Sequence, residues 1–403
     1  MKKGKELRTK ALSTSPRFNY LPDSDRYLVA RTEASYKFNL IGAGIIGQEH
    51  TNITHLEGRA TIHGVYDPNP RSIATVQAIH GKWSDTELVI YDSLEAACND
   101  PEVDALIICT PNYTHIDVVK VAAQSGKHIL LEKPIATTVA DALEITQIAE
   151  GYEAVFQVGL QYRYKSISVE AIHEVFDRKT LGEVKLISMQ EHRIPFLDKV
   201  NQWNKFAKYS GDTLIEKCCH YFDLLNLFAQ AKPKRVFASG SMAVNFTEFE
   251  YNGEKSDILD NAFVVIDYEN GVRANFSLCM FAPLFYEELI ICGDAGRLRA
   301  WEQSDYLPGG QLTSQLEIMV GEDRPSRRIE PAYPTWIEDS GHNGATYYEH
   351  VYFVDNIEGK ETTTASAREG LWSVIVAAAA QESIKQGRAI DIDTFLSDLN
   401  ITL

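Results

Sequence analysis

The sequence contains no apolar run near the roughly 18 residues that a membrane-spanning helix requires. Its longest candidate, residues 374–380, is far shorter. Lys2, Lys3, Lys5, Arg8 and Lys10 crowd the start, but no apolar stretch follows them, so a secretory signal is not expected. Cysteine is sparse and irregularly spaced, six in 403 residues. That argues against a disulfide framework and predicts reduced thiols in a cytoplasmic protein. Positive charge is in deficit: 39 basic residues against 56 acidic ones leave a net charge of −17. A field of that sign repels phosphate polymers and anionic lipid, so neither nucleic acid nor a membrane is an expected partner. Internal repeats and low-complexity segments are also missing. What remains is 44% hydrophobic and 24% charged, a globular balance that excludes a mainly disordered chain, and its length suits two domains.

Residues 1–35 mix Ser, Pro, Asp and Arg without periodicity and read as an N-terminal arm, either mobile or wrapped on a neighbouring subunit. Over 36–160 short apolar runs at 37–41, 62–66, 88–91, 105–109, 129–132 and 155–158 alternate with stretches of helical period. This is the pattern of βαβ units, and it predicts a doubly wound α/β domain with a parallel sheet. Thr138 is placed to cap the helix after Pro134. From 161 to 403 the rhythm changes. Runs at 184–194, 235–244, 262–268, 272–280 and 288–292 are separated by turns, and Asn270-Gly271 is a strong hairpin signal. An open antiparallel sheet with helices is expected there. One helix is expected over 213–228, and a last one over 366–386, closed by Gly387, has the length and alanine content to pack back on the first domain.

Gly42-Ala43-Gly44-Ile45-Ile46-Gly47 stands between an apolar strand and a helix. Glycines there let the backbone turn tightly and approach a pyrophosphate, whose charge sits at the helix N-terminus. Asp67 ends the second strand twenty positions beyond Gly47, where a carboxylate binds ribose hydroxyls and repels a 2′-phosphate. NAD is therefore the expected cofactor, with Arg71 nearby keeping NADP open. No metal site is expected.

Thr110-Pro111-Asn112 with His115, Gly126-Lys127-His128, and Glu132-Lys133-Pro134 complete a combination that resembles the Gfo/Idh/MocA family of nicotinamide-dependent sugar and polyol oxidoreductases. The resemblance runs from about residue 37 to 390, and the Glu-Lys-Pro tripeptide is its most specific part. It implies a Rossmann domain followed by a substrate-binding and oligomerising α+β domain. It also implies cofactor contacts from Gly42, Gly44, Ile45, Ile46, Gly47, Asp67, Thr110, Pro111, Asn112, His115, Glu132 and Lys133. By likeness Lys133 projects to nicotinamide and substrate, and Pro134 follows a cis peptide. Read from the residues alone, Lys133 lies at the carboxyl end of a parallel strand, where an ammonium can polarise a reacting C–O group.

The family's second cluster is an Asp, three residues, a His, two residues and an Asp. Here Glu216 stands at the first acid, followed by His220 and Asp223. On a helix, Glu216 and His220 share a face, so the carboxylate is expected to orient an imidazole that titrates near neutrality and takes the hydroxyl proton. Glu216 and Lys133 pull that titration in opposite directions, so a coupled titration is expected. Asp223 is open to a substrate-binding or a helix-stabilising role. Arg163 binds a substrate hydroxyl or carboxylate, or makes a domain-interface salt bridge. Trp203 stacks on a sugar face or belongs to the core. His342, Tyr347 and His350 form a polar-aromatic stretch placed near the cleft, and Cys218-Cys219 reads as packing.

The leading function is hydride transfer between NAD and a secondary alcohol or ketone of a sugar, inositol or related polyol. Two alternatives are an NAD-dependent glycosidase that oxidises transiently and eliminates, and a catalytically silent nucleotide-sensing scaffold. Because the run 262–266 is apolar on both faces, its sheet is expected to join copies into a dimer or tetramer.

Overall fold

Short runs of Val, Ile and Leu, buried on both faces, form strands only where helices cover the sheet on each side. The computed structural model arranges five of them as β1 (Tyr36–Ile41), β2 (Ala60–Tyr66), β4 (Ala105–Ile108), β5 (His128–Glu132) and β6 (Phe156–Gly159), with the short exposed strand β3 (Val89–Ile90) at the sheet edge. It describes residues 34–307, 312–360, 362 and 364–403, so nearly all of the expected N-terminal arm lies outside the described residues. The sheet is parallel throughout, in the order β3-β2-β1-β4-β5-β6. Leu40, Ile107 and Leu130 and their neighbours Ile41, Ile108 and Leu131 are fully buried on opposite faces of its central strands.

The connecting helices are α1 (Ile45–Glu57), α2 (Pro70–His80), α3 (Leu94–Asn99), α4 (His115–Ala122) and α5 (Val139–Glu150). Asn69, Ser93 and Thr138 cap three of them by accepting backbone N–H groups. The first helix starts at Gly44 with no side-chain cap. The sheet order reverses direction between β1 and β4, and the carboxyl ends of those strands open the crevice where such folds bind ligands.

After β6, helix α6 (Ser166–Ile172) leads to a nine-stranded sheet. Its strands are β7 (Val184–His192), β8 (Pro233–Ser241), β9 (Asn261–Tyr268), β10 (Arg273–Cys279), β11 (Phe285–Gly293), β12 (Gly296–Ser304), β13 (Thr313–Val320), β14 (Arg327–Ile329) and β15 (Ile390–Asp391). Their order is β14-β13-β12-β11-β7-β10-β9-β8-β15. Seven of the eight pairings are antiparallel, but β7 and β10 run parallel, so the sheet is mixed rather than purely antiparallel. The reason is topological. β7 leaves through a helix and returns only after the β8–β9 excursion, a crossover long enough to bring the next strand back in the same sense. Gly271, at φ +86°, turns the β9–β10 hairpin at the expected Asn-Gly.

Strands β12 and β13 escaped the sequence reading. Their inward residues Leu298, Ala300, Leu316 and Ile318 alternate with charged outward ones such as Arg297, Arg299 and Glu317, a weak signal of period two. The expected helix over 213–228 is two pieces, a turn at Asp212–Glu216 and α7 (Cys219–Ala229).

Two long helices, α8 (Ala345–Ile357) and α9 (Ala367–Gln386), and a short one at Ile392–Asp398 close the fold. Helix α9 carries a full capping box at Ser366 and Glu369 and ends on left-handed Gly387. It lies between the two sheets. Thr146 of α5 donates to the Ala367 carbonyl at 3.2 Å, and a Cβ on Gly370 would stand 3.3 Å from Ile135. At the other end the Ser383 hydroxyl accepts from the Ala238 amide of β8 at 2.9 Å. No helix among the described residues is long and apolar enough to cross a membrane.

Because α9 joins the two sheets, its cap matters to the whole molecule. Ser366→Ala should lower stability by about 1 kcal/mol, the usual cost of an N-cap hydroxyl. A downward shift of the urea midpoint with unchanged far-ultraviolet circular dichroism of the native protein is the expected result.

Candidate active site

The turn from β1 into α1 is shaped by three glycines with three different reasons. Gly42 sits at φ +97°, and a Cβ there would lie 2.7 Å from the Cys109 carbonyl carbon. At Gly47 a Cβ would lie 2.1 Å from the Gly42 carbonyl oxygen. Around Gly44 nothing stands within 4 Å, so the backbone there faces open space. The uncapped amides of α1 point into that space, and the Ile45 side chain, 47% exposed, borders it with the half-buried Ile46. Free helix-terminal N–H groups beside bare backbone fit a pyrophosphate. Asp67, at the end of β2, accepts from the Ala43 amide at 2.6 Å and from the Asn69 amide at 2.7 Å. Its carboxylate is thereby fixed at the rim, with a second lone pair on each oxygen left for ribose hydroxyls.

On the other side of the crevice Thr110, Pro111 and Asn112 follow β4, and the Asn112 amide donates to the Ser210 carbonyl at 3.2 Å. Two expected cofactor contacts turn inward instead. His115 is 1% exposed, and its ring nitrogens face the Pro134 and Thr110 carbonyls at 2.9 and 3.1 Å. It ties the Lys-Pro segment to the β4 loop. Glu132 is also buried: Oε1 meets His50 Nε2 at 3.0 Å and Oε2 accepts from the Lys133 amide at 3.0 Å. Both residues therefore position the strand end rather than line the crevice.

The Lys133–Pro134 peptide is cis. Lys133 donates from Nζ to the Glu216 carbonyl at 3.1 Å. That carbonyl is available because the helix is broken: the Lys217 and Cys218 amides both return to the Thr213 carbonyl, at 3.0 and 3.2 Å. The break also separates Glu216 from the face that carries His220. The Glu216 carboxylate pairs with Lys199 at 2.8 Å, so the expected Glu216–His220 orientation is not formed. Burial acts to raise the Glu216 carboxyl, but Lys199 and Lys133 outweigh it and bring it to about 2. Burial acts to lower the Lys133 ammonium, and Glu216, Cys219 and Glu132 together more than offset it, a net upward shift.

His220 is 1% exposed and stacked on Tyr162, with centroids 4.0 Å apart and planes 9° from parallel. Its Nδ1 has no hydrogen-bond partner. Burial, then the charges of Lys133 and Lys217, hold its pKa well below the usual imidazole range. Burial and the surrounding lysines thus act against the expected titration near neutrality.

Arg163 and Asp223, expected at the substrate, bond to each other instead. The guanidinium donates to both carboxylate oxygens at 2.6 and 2.5 Å and pairs with Glu369 of α9 at 2.8 Å. This is the interface salt bridge, the other role open to Arg163. Trp203 is half-buried, and one face is covered by Lys199 Nζ at 4.4 Å from the ring centre, which places it beside Glu216. Cys218 and Cys219 are buried free thiols, and burial raises both.

Of the polar-aromatic stretch, His342 reaches the crevice, with its ring 6.4 Å from Tyr162. His350 does not: it is buried against His50 at 2.7 Å. His50, Glu132 and Glu349 bring ligand-type atoms within 4.8 Å of one another. Burial, with Glu132 and Glu49 beside it, pushes the Glu349 carboxyl well above the usual range.

The sequence reading missed a ring of buried charges behind this wall. Lys165 pairs with Glu287 and, at 2.9 Å, with Glu302. Lys217 donates to the Tyr162 hydroxyl and pairs with Glu191 at 3.2 Å. These partners lie on different strands, far apart in the chain, and nothing local in the sequence links them.

A family model described as an oxidoreductase family with an NAD-binding Rossmann fold matches residues 36–160, and its C-terminal alpha/beta companion matches residues 174–392. Inositol 2-dehydrogenase of Rhizobium meliloti is 26% identical over 88% of this chain and 99% of its own. The 2,7-anhydro-N-acetylneuraminate hydratase of Escherichia coli is 21% identical over 90% of this chain and 99% of its own. Among solved structures, a levoglucosan dehydrogenase complex with NADH and levoglucosan has a TM-score of 0.73 at 17% identity, covering 89% of this chain and 99% of that one.

The site's electrostatics carry a stability signature. The folded protein keeps His220 neutral, whereas the unfolded chain takes up a proton below about pH 6.5. Glu216, at about 2 when folded against 4.5 for the free side chain, loses its contribution as pH falls further through that interval. Stability should therefore fall as pH drops below about 6.5, and fall again below about 4.5. His220→Gln should lessen the first decline in urea titrations run at successive pH values, the remainder coming from His350 and His115, which burial also holds below the usual imidazole range, while leaving the second.

Proposed function

The chain belongs to the Gfo/Idh/MocA oxidoreductase family, with its NAD-binding Rossmann domain, and from that premise we propose that it is a dehydrogenase or reductase interconverting a secondary alcohol and a ketone on a sugar, inositol or related polyol. The observation that carries this reading is the placement of the Lys133 ammonium at the carboxyl end of β5, beside His220 and at the same sheet edge as the glycine cradle. Ligands of doubly wound sheets bind at that edge. The nicotinamide supplies or accepts the hydride.

In this reading Lys133 donates to the substrate oxygen and stabilises it as it becomes an alkoxide. Glu216 keeps the ammonium charged and aimed, through its carbonyl and its field. His220 is neutral and accepts a hydrogen bond from the hydroxyl, but the lysines around it oppose storing a proton there. Gly42, Gly44 and Gly47 admit the pyrophosphate, and Asp67 binds the ribose, which favours NAD over NADP.

A second reading, transient oxidation followed by elimination, gains support from the hydratase relative. It uses the same Lys133, and its mark is turnover without net NADH. A panel of sugars and polyols followed at the nicotinamide absorbance separates the two. NADH should accumulate with at least one polyol, and Lys133→Met should lower that turnover by about a hundredfold or more with little change in NADH affinity. NADPH binding as tight as NADH would count against the role of Asp67.

We also propose that the outer face of the nine-stranded sheet joins copies of the chain. Phe263 is 68% exposed there, beside Phe237 at 46% and Val265 at 45%, all on strands that pair directly. A contiguous apolar sheet face of this kind marks an association surface. Sedimentation at micromolar concentration should give a dimer or larger, and Phe263→Glu should shift it toward monomer.

A further inference from the structure

The segment that leaves β7 carries two cations, each seated on an aromatic ring. The Arg193 guanidinium carbon lies 5.5 Å from the centre of Phe196, and Lys199 Nζ lies 4.4 Å from that of Trp203. Arg193 is anchored at one edge, where Nε donates to the Ile194 carbonyl at 3.1 Å. Glu191 stands 3.5 Å from Nη1 as an ion pair without a hydrogen bond. Among the described residues, then, no hydrogen bond uses Nη1 or Nη2. A guanidinium held this way, with its terminal N–H groups free, is a preformed fork for a carboxylate.

The fork belongs to the wall that holds His220. Glu191 stands between Arg193 and Lys217, 3.2 Å from the lysine; Lys217 donates to the Tyr162 hydroxyl, and Tyr162 stacks on His220 at 4.0 Å. On its other side lies Glu216, which burial acts to raise and which Lys199, Lys133 and Arg193 bring down to about 2. Lys133 reaches the carbonyl of that same residue at 3.1 Å. Arg193 and the reactive lysine therefore border one glutamate.

Charge in this wall does not balance. Lys133, Lys199, Lys217 and Arg193 face Glu216, Glu191 and, on the Lys133 amide at 3.0 Å, Glu132. That is four cations against three carboxylates, in a chain whose net charge is −17. Lys217 and Glu191 are closed off at 7% and 0% exposure, whereas Arg193 is 21% and Lys199 26% exposed. The surplus thus sits on the two cations that a ligand can touch. A neutral polyol leaves it uncompensated. A singly charged carboxylate compensates it and matches the planar fork with two parallel hydrogen bonds.

We propose that the substrate is an acidic sugar, a polyol or pyranose bearing a carboxylate that Arg193 grips through Nη1 and Nη2 and Lys199 flanks, while the reacting hydroxyl meets Lys133 and His220. This rests on the dehydrogenase reading above. Arg193 is then the residue that selects for the acid, and the proton and hydride steps are unchanged by it.

The test compares matched pairs in the full chain with NAD: D-glucuronate against D-glucose, D-galacturonate against D-galactose, and D-gluconate against D-sorbitol. At least one acid should exceed its neutral partner in kcat/KM by about a hundredfold or more. Arg193→Met should collapse that ratio toward one, chiefly through KM, Arg193→Lys should keep part of it, and NADH affinity should be retained in both. Added salt should reduce the ratio as well, since the ion pair at the crevice mouth is partly screened. Equal or better use of the neutral partner in every pair would overturn the proposal, as would an acid preference that survives in Arg193→Met, or a preference for D-glucose 6-phosphate over D-glucuronate. If Arg193→Met fails to fold, the same ratio in Arg193→Lys and Lys199→Met decides. Oxidation of neutral polyols alone would sink the acidic substrate and leave the dehydrogenase reading standing. Wild-type protein that oxidises neither member of any pair would count against that reading instead. Calorimetric binding of D-glucuronate to the NADH-loaded protein, weaker in Arg193→Met, would then still test the carboxylate site, and its absence would overturn it.

Discussion

The contact on which the site depends is the hydrogen bond from the Lys133 ammonium to the Glu216 carbonyl. It joins the end of a parallel strand in one sheet to a helical turn beside the other. It exists only because the helix breaks at Lys217 and Cys218, where two amides share the Thr213 carbonyl and leave that of Glu216 exposed to the crevice. An unbroken helix would consume the carbonyl internally. The same break lets the Glu216 side chain reach Lys199 and its field hold Lys133 charged.

Charge is organised around that contact in a place where water screens little. Buried Lys165 pairs with Glu287 and Glu302, buried Lys217 with Glu191, and half-buried Lys199 with Glu216, so each ammonium has a carboxylate beside it. Pairing of this kind offsets the desolvation of each ion without making the cluster a source of net stability. Its effect on function is directional. Burial, with the ammonium groups of Lys133 and Lys217, holds His220 neutral, while the Glu49 carboxylate pairs with His342 at 2.8 Å.

Helix α9 and the Arg163–Asp223–Glu369 triad set the frame in which this geometry is held. The helix touches α5 and Ile135 of the nucleotide half and β8 of the other half. Arg163, at the exit from β6, is bonded to α7 and to α9 at once. Because the guanidinium is bidentate and buried, it fixes the angle at which α7 presents His220. The residue acts on the crevice from behind it.

The nucleotide half was legible in the sequence because its signals are local. A glycine turn, an acid twenty residues on, and apolar runs alternating with helical periods each lie within one βα unit, and the backbone needs that fix them are met by adjacent residues. Lys133 was legible for the same reason, as the end of a buried strand. The partner of each side chain was not. Glu216 and His220 are four apart, a spacing that pairs them on any intact helix, and only the tertiary pull of Lys133 and Lys199 accompanies the break that parts them. Glu49 and His342 are almost three hundred residues apart, and no periodicity brings them together. Sequence alone determined which backbone could turn, cap or run buried, since those choices are made within a few residues. The tertiary structure decided which charge faces which proton, because electrostatic partners are chosen by distance in space and by the exclusion of water between them.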